Sequence, residues 1–194
     1  MALRLVAVTG TEPVTLTEIK AMCRVDSDIT ADDTLLTALG KAARSQCEHL
    51  LDRTIVAATW ERTLDAFPED GIQLAWPTVN GITSVQYVDA AGDLQTLSSS
   101  LYTLDDKEHP GWVLPAEDTE WPTTLDTANA VRVTFTTRWT EGGNDEIPED
   151  VKNWILMRAA TAYKFREQVA AGAGVSELPR SFGDGLLDRW RVYY

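Results

Sequence analysis

"AVRVTFTTRW" (residues 130–139) is followed closely by "IPEDVKNWILMRAATAYKFREQVAAG" (residues 147–172), and the change of period between them decides the fold class. In the first segment the period is two. Val131, Val133, Phe135, Thr137 and Trp139 fall on one face, and Arg132, Thr134, Thr136 and Arg138 on the other. That alternation predicts a strand of an antiparallel sheet with one wet face. In the second segment the period is helical. Ile147, Val151, Trp154, Ile155, Arg158, Ala162, Phe165 and Val169 line one stripe. Pro148 suits the first turn, Glu149 and Asp150 sit near the positive end of the dipole, and Gly172 ends the helix.

Upstream of residue 130 the strand period continues. Residues 54–67, 71–76, 82–89, 94–97, 101–105 and 112–115 are short β-branched or aromatic runs separated by Gly, Pro, Asp and Ser. "YVDAAGDLQTL" (87–97) predicts a hairpin turning between Asp89 and Asp93. Before residue 55 the pattern is helical again. "VTLTEIKAMCRV" (14–25) opens with a capping box of Thr15 and Glu18 and carries a Leu16, Ile19, Met22, Cys23 stripe. "DDTLLTALGKAARSQCEHLLDR" (32–53) repeats Leu35, Leu36, Leu39, Ala42, Ala43, Cys47, Leu50 and Leu51 at helical spacing. Ala42 and Ala43 would let a second helix approach closely. The fold class is therefore α+β, a helical bundle of N- and C-terminal helices with an inserted antiparallel β-rich lobe and a C-terminal tail. The boundaries fall at 1–54 for the N-terminal helices, 55–147 for the lobe, 148–172 for the C-terminal helix, and 173–194 for a hinge and tail.

Composition narrows the function classes. The 194 residues fit one domain, or one domain with an insertion. Net charge is −13, and residues 55–147, with 4 basic and 16 acidic side chains, hold −12 of it. Residues 1–54 carry −2 and residues 148–194 carry +1. A sequence-reading nucleic-acid binder needs a concentrated basic face, which is lacking. Solubility, or a surface past which DNA slides without sticking, both accommodate the acids. No apolar run reaches the ~18 residues of a membrane span, and the start lacks a secretion-signal pattern. Synthesis in the cytosol follows. Cys23 and Cys47 are expected as small buried hydrophobes.

Sites of chemistry find little support. "DSDITADD" (26–33) spaces carboxylates as a calcium loop does, but Ala31 stands where glycine is needed and Thr37 where the closing acid belongs. An inter-helix loop is expected instead. Glu108 and His109 in "EHPGW" sit in a Pro-Gly turn, and two histidines with two cysteines assemble no zinc spacing. There is no phosphate-binding glycine loop and no nucleophile signature. No catalytic residue, metal or cofactor is expected. Trp76, Trp112 and Trp121, near prolines, admit a carbohydrate-binding or carbohydrate-active alternative beside the plainer reading of β-lobe core.

The last segment stands apart. "VAAGAGVSE" (169–177) is a poor helix, with hinge glycines Gly172 and Gly174. "LPRSFGDGLLDRWRVYY" follows, carrying Leu178, Pro179, Arg180, Phe182, Leu186, Leu187, Arg189, Trp190, Arg191, Tyr193 and Tyr194. Either Leu186, Leu187 and Trp190 fold back on their own helices, or the aromatics and arginines anchor in another subunit, since Trp, Tyr and Arg concentrate binding energy at interfaces.

The order "VTLTEIKAMCRVD", "DDTLL…AAR…CEHLLDRTI", "AVRVTFTTRW", "IPEDVKNWILMRAATAYKFRE" and "LP…LLDRWR" resembles the head–tail connector (adaptor) proteins of tailed bacteriophages and gene transfer agents, in their long form with a β insertion. The resemblance runs over nearly the whole chain. It implies a non-enzymatic virion neck protein made in the bacterial host cytoplasm. It further implies a homo-oligomeric ring, twelve-fold in the particle, between the portal and a downstream neck (stopper) or tail-terminator protein. DNA would pass through the ring's channel without sequence-specific binding, and no membrane is involved. By the same resemblance, residues 178–194 would be the portal-docking tail.

Overall fold

The computed structural model of the chain describes residues 2–75, 78–107, 110–139, 146–166 and 183–191. Those residues form three α-helices and two antiparallel sheets, an α+β fold. In chain order the elements are β1 (Ala2–Val8), α1 (Leu16–Cys23), α2 (Asp33–Leu51), β2 (Ala58–Leu64), β3 (Ile72–Gln73), β4 (Val79–Val88), β5 (Leu94–Thr96), β6 (Tyr102–Asp105), β7 (Trp112–Pro115), β8 (Val131–Thr137) and α3 (Glu149–Lys164). They sort into two compact units. Residues up to Thr11 join Val56–Asp145 in a β unit, and Glu12–Ile55 joins Glu146–Tyr193 in a helical unit.

In the β unit a five-stranded sheet runs β1-β2-β8-β4-β5 and a three-stranded sheet β3-β7-β6. β8 is central, and its alternation is realised: Val131, Val133, Phe135 and Thr137 are buried while Arg132 is exposed. Ile72, Leu74, Val85, Val113 and Leu64 close the core around that face. The turn between β4 and β5 is held by Asp89, whose carboxylate accepts the Ala91 N–H (2.9 Å), the Asp93 N–H (3.0 Å) and the Gln95 side-chain amide (2.8 Å).

A boundary at residue 54 grouped the first residues with the helices, but residues 2–8 form a strand. β1 pairs antiparallel with β2, with a register shift at Val6 that keeps Leu3, Leu5 and Val8 opposite Arg62, Trp60 and Ala58. The physical cause is the Leu-Arg-Leu alternation followed by β-branched valines. Through β2 that face continues to Val133 and Phe135 of β8. At β1 the cover runs out, leaving Leu3, Leu5, Val6 and Val8 at 36–48% exposure.

The helical unit follows its sequence signals closely at the start. The Thr15 hydroxyl accepts the Glu18 N–H (3.2 Å), and the Glu18 carboxylate accepts the Thr15 N–H (2.6 Å). α2 buries Leu36, Gly40, Ala43, Cys47 and Leu51. Close approach occurs at Gly40 rather than at Ala42, which is exposed. A Cβ at Gly40 would lie 2.6 Å from Ile19 Cδ1, so a larger residue there requires the end of that buried side chain to shift. α3 buries Val151, Trp154, Ile155 and Ala159. It leaves helical geometry at Phe165 (φ −113°, ψ 73°), which is 45% exposed, so the predicted stripe stops short there. Val169, Gly172 and Gly174 lie outside the described residues.

Candidate interaction surfaces

The acidic stretch 26–33 is built around a lysine. Lys20, on α1, is 5% exposed, and its ammonium reaches the carbonyls of Ser27 (3.2 Å) and Ile29 (2.8 Å) and the Asp33 carboxylate (2.6 Å). One buried cation thus does for this loop what a metal ion does in a calcium loop. Asp32 turns the other way and accepts the Tyr163 hydroxyl (2.6 Å) and Arg166 (3.1 Å) from the end of α3. The Tyr163 hydrogen bond, then Arg166, hold the Asp32 carboxyl below the usual range. Sequence reading missed both partners, although eight residues holding four acids advertise a need for counter-charge.

Beside this network the ends of α1 and α3 bound a groove of about 620 Å³, lined by Met22, Cys23, Arg24, Thr161, Lys164 and Phe165 among others. Met22 and Phe165 are exposed at 37% and 45%. Burial raises the Cys23 thiol and pushes Cys47, inside α2, up to about 12. Cys47 is fully buried and Cys23 half-buried, and both are free.

The tail residues divide. Leu178, Pro179, Arg180, Phe182, Tyr193 and Tyr194 lie outside the described residues. Of the others, Leu187 is fully buried and Leu186 and Trp190 are half-buried. The Trp154 indole donates to Asp184 (3.3 Å), and Arg53 donates to the Trp190 carbonyl (3.4 Å). Arg189 is exposed with its guanidinium 4.9 Å from the Trp190 ring centroid, and Arg191 pairs with Asp188 at 3.8 Å. Residues 183–191 are therefore seated on the helical unit of their own chain.

In the β unit Trp121 stacks on Phe67 (4.7 Å, interplanar 8°), which places its ring in the fold's own packing. Trp112 belongs to β7 and is half-buried. Trp76, Glu108 and His109 lie outside the described residues. Among the described residues no group of three or more His, Cys, Asp or Glu is gathered to hold a metal ion. Nor, among those residues, is any helix long and apolar enough to cross a membrane.

No protein-family model matches the chain, and no curated protein matches it in sequence. Solved structures do. A chain from the neck of an empty gene transfer agent (GTA) particle, computed with C6 symmetry, is 24% identical with TM-score 0.74. One from the virion of a native GTA particle is 23% identical with TM-score 0.75. A third, from the neck of a native GTA particle computed with C12 symmetry, is 21% identical with TM-score 0.68. Each match covers 100% of this chain and 97% of the other. The chain has the fold of these gene transfer agent particle components from end to end.

Proposed function

We propose that the chain is a structural head–tail connector subunit of a phage or phage-like particle. Copies form a ring, twelve-fold in the particle, between the portal and the next neck or tail-terminator protein, around a channel that conducts DNA. The observation that carries this reading is the full-length likeness to chains from GTA necks computed with C6 and C12 symmetry, since twelve copies satisfy both symmetries. The acid surplus of residues 55–147 fits a wall that repels the DNA backbone. In this reading the helices form the body of each subunit and residues 178–194 dock in the portal. The contacts of Leu187 and Trp190 with their own helical unit belong to the free subunit, and the portal replaces them on assembly.

The test is electron microscopy of the chain mixed with its portal, unaltered and truncated after Glu177. The unaltered chain should add a ring beneath the portal and the truncated one should not. Because truncation also removes buried Leu187, a Tyr193→Ser/Tyr194→Ser variant that folds normally supplies a second measurement. Unimpaired joining by both variants would refute the docking tail. The carbohydrate alternative gains nothing from Trp121, whose ring face is taken by Phe67.

A further inference from the structure

We infer that the groove between α1 and α3 receives the tip of the β4–β5 hairpin of a second copy of this chain, a contact that rests on the ring reading and names its neighbour-to-neighbour interface. The groove's character sets what fits it. Its floor exposes Met22 and Phe165. Its rim carries Arg24 and Lys164, neither of which has a carboxylate partner among the described residues, and the Lys164 ammonium rests 5.3 Å from the Phe165 ring centroid. Lys20, Arg44, Lys152 and Arg166 of the same unit each hold a carboxylate. A groove with an exposed apolar floor and cations on its rim selects an apolar knob flanked by an acid.

The chain supplies one. Leu94 is the most exposed large hydrophobic among the described residues at 53%, and it follows Asp93 at the end of the Asp89 turn. Gly92 has φ +94° and open space around it, as a protruding tip requires. The three hydrogen bonds to Asp89 hold the turn in shape, so docking it costs little conformational entropy. Knob and groove are different surfaces, and such a heterologous contact propagates from copy to copy, as a ring of identical subunits requires.

Two exposed substitutions test it in the full-length protein. Leu94→Arg removes the knob and keeps the groove; Met22→Glu removes the groove and keeps the knob. Both variants should match the unaltered chain in circular dichroism and thermal midpoint. In sedimentation velocity the unaltered chain should self-associate, and each variant alone should do so about ten-fold or more weakly. An equal mixture of the two should form a discrete heterodimer, because only one live knob and one live groove remain. Cys23 gives an independent reading: its alkylation should slow on assembly of the unaltered chain and stay fast in Leu94→Arg. A mixture that stays monomeric, an unaltered chain that stays monomeric at every concentration reached, or Cys23 equally reactive in assembled and free protein would overturn the contact. Rings formed alike by the unaltered chain and both variants would also overturn it while leaving the ring reading intact. That reading falls instead if the chain adds no ring to the portal in the microscopy described above.

Discussion

The Lys20 ammonium lies 2.6 Å from the Asp33 carboxylate, joining the body of α1 to the first turn of α2. Its remaining bonds go to the Ser27 and Ile29 carbonyls, so one side chain organises the whole connection. Lys20→Met keeps most of the volume and removes the charge. The two carbonyls and the carboxylate are then left without their donor. The expected loss is about 2–3 kcal/mol, below the range for a fully buried pair because Asp33 keeps some exposure to water. Urea denaturation measures it. Added calcium should not shift the midpoint of the unaltered protein, and a calcium-dependent rise would revive the metal-loop reading.

Gly40→Ala sets two effects against each other. Alanine is favoured over glycine in a helix by ~1 kcal/mol. The new methyl, however, would meet Ile19 Cδ1 at 2.6 Å in a site where Ile19 is 3% exposed. Overpacking of this kind costs roughly 1–3 kcal/mol, so a net loss of about 1 kcal/mol is expected. Ile19→Val removes the clashing carbon. Combined with Gly40→Ala it should be less harmful than the two single costs summed, and a double-mutant cycle showing strict additivity would refute the close contact.

Much of this fold was written in local pattern. The capping box at Thr15, the alternation of β8 and the Asp89 turn each depend on neighbours in sequence, and each was legible. What escaped depends on distant partners. Nothing in "ALRLVAV" announces β2 as its mate some fifty residues on, and its apolar face is too exposed to read as core. Gly40 reads as a blemish in a helix until Ile19 is laid against it. Lys20 sits in an amphipathic helix where a lysine ordinarily faces water, and only the returning chain at residues 27–33 makes it an interior cation. The tail was open in sequence for the same reason, because either burial or partnership satisfies an aromatic segment.

Acid should destabilise this protein through identifiable groups. The Glu18 carboxyl is lowered by the Thr15 backbone and hydroxyl, Asp32 by Tyr163 and then Arg166, and Asp89 by Gln95 and the Asp93 N–H. Each folded pKa lies below its unfolded value, so the unfolded chain binds more protons. Stability from these groups is then complete above the ordinary carboxylate range, about pH 4–5, and is lost as pH falls through the depressed values. Tyr163 runs the other way. Its hydroxyl donates to Asp32, raising its pKa, and that contribution fades as pH climbs past about 10. Urea midpoints against pH should form a plateau between these limits. Asp32→Asn, which cannot titrate, should flatten the acid limb, and an unchanged slope would remove Asp32 from the account.

Leu187 tests how firmly the tail's root is held. Its side chain is fully buried, and Leu→Ala in a core costs roughly 2–5 kcal/mol. If the segment docks elsewhere as proposed, a ceiling applies, because residues 183–191 would lift off as a unit once seating them no longer repays the ordering. The cost then cannot exceed the free energy that seats the segment. Leu187→Ala is therefore expected to lower stability by about 1–2 kcal/mol. Hydrogen exchange should quicken at the Leu187 and Trp190 amides, whose acceptors are the Asp184 and Leu187 carbonyls, while α2 stays protected. If the variant instead lost the full core penalty and exchange rose throughout the helical unit, the segment would be a fixed part of that unit. A portal could then not draw it away.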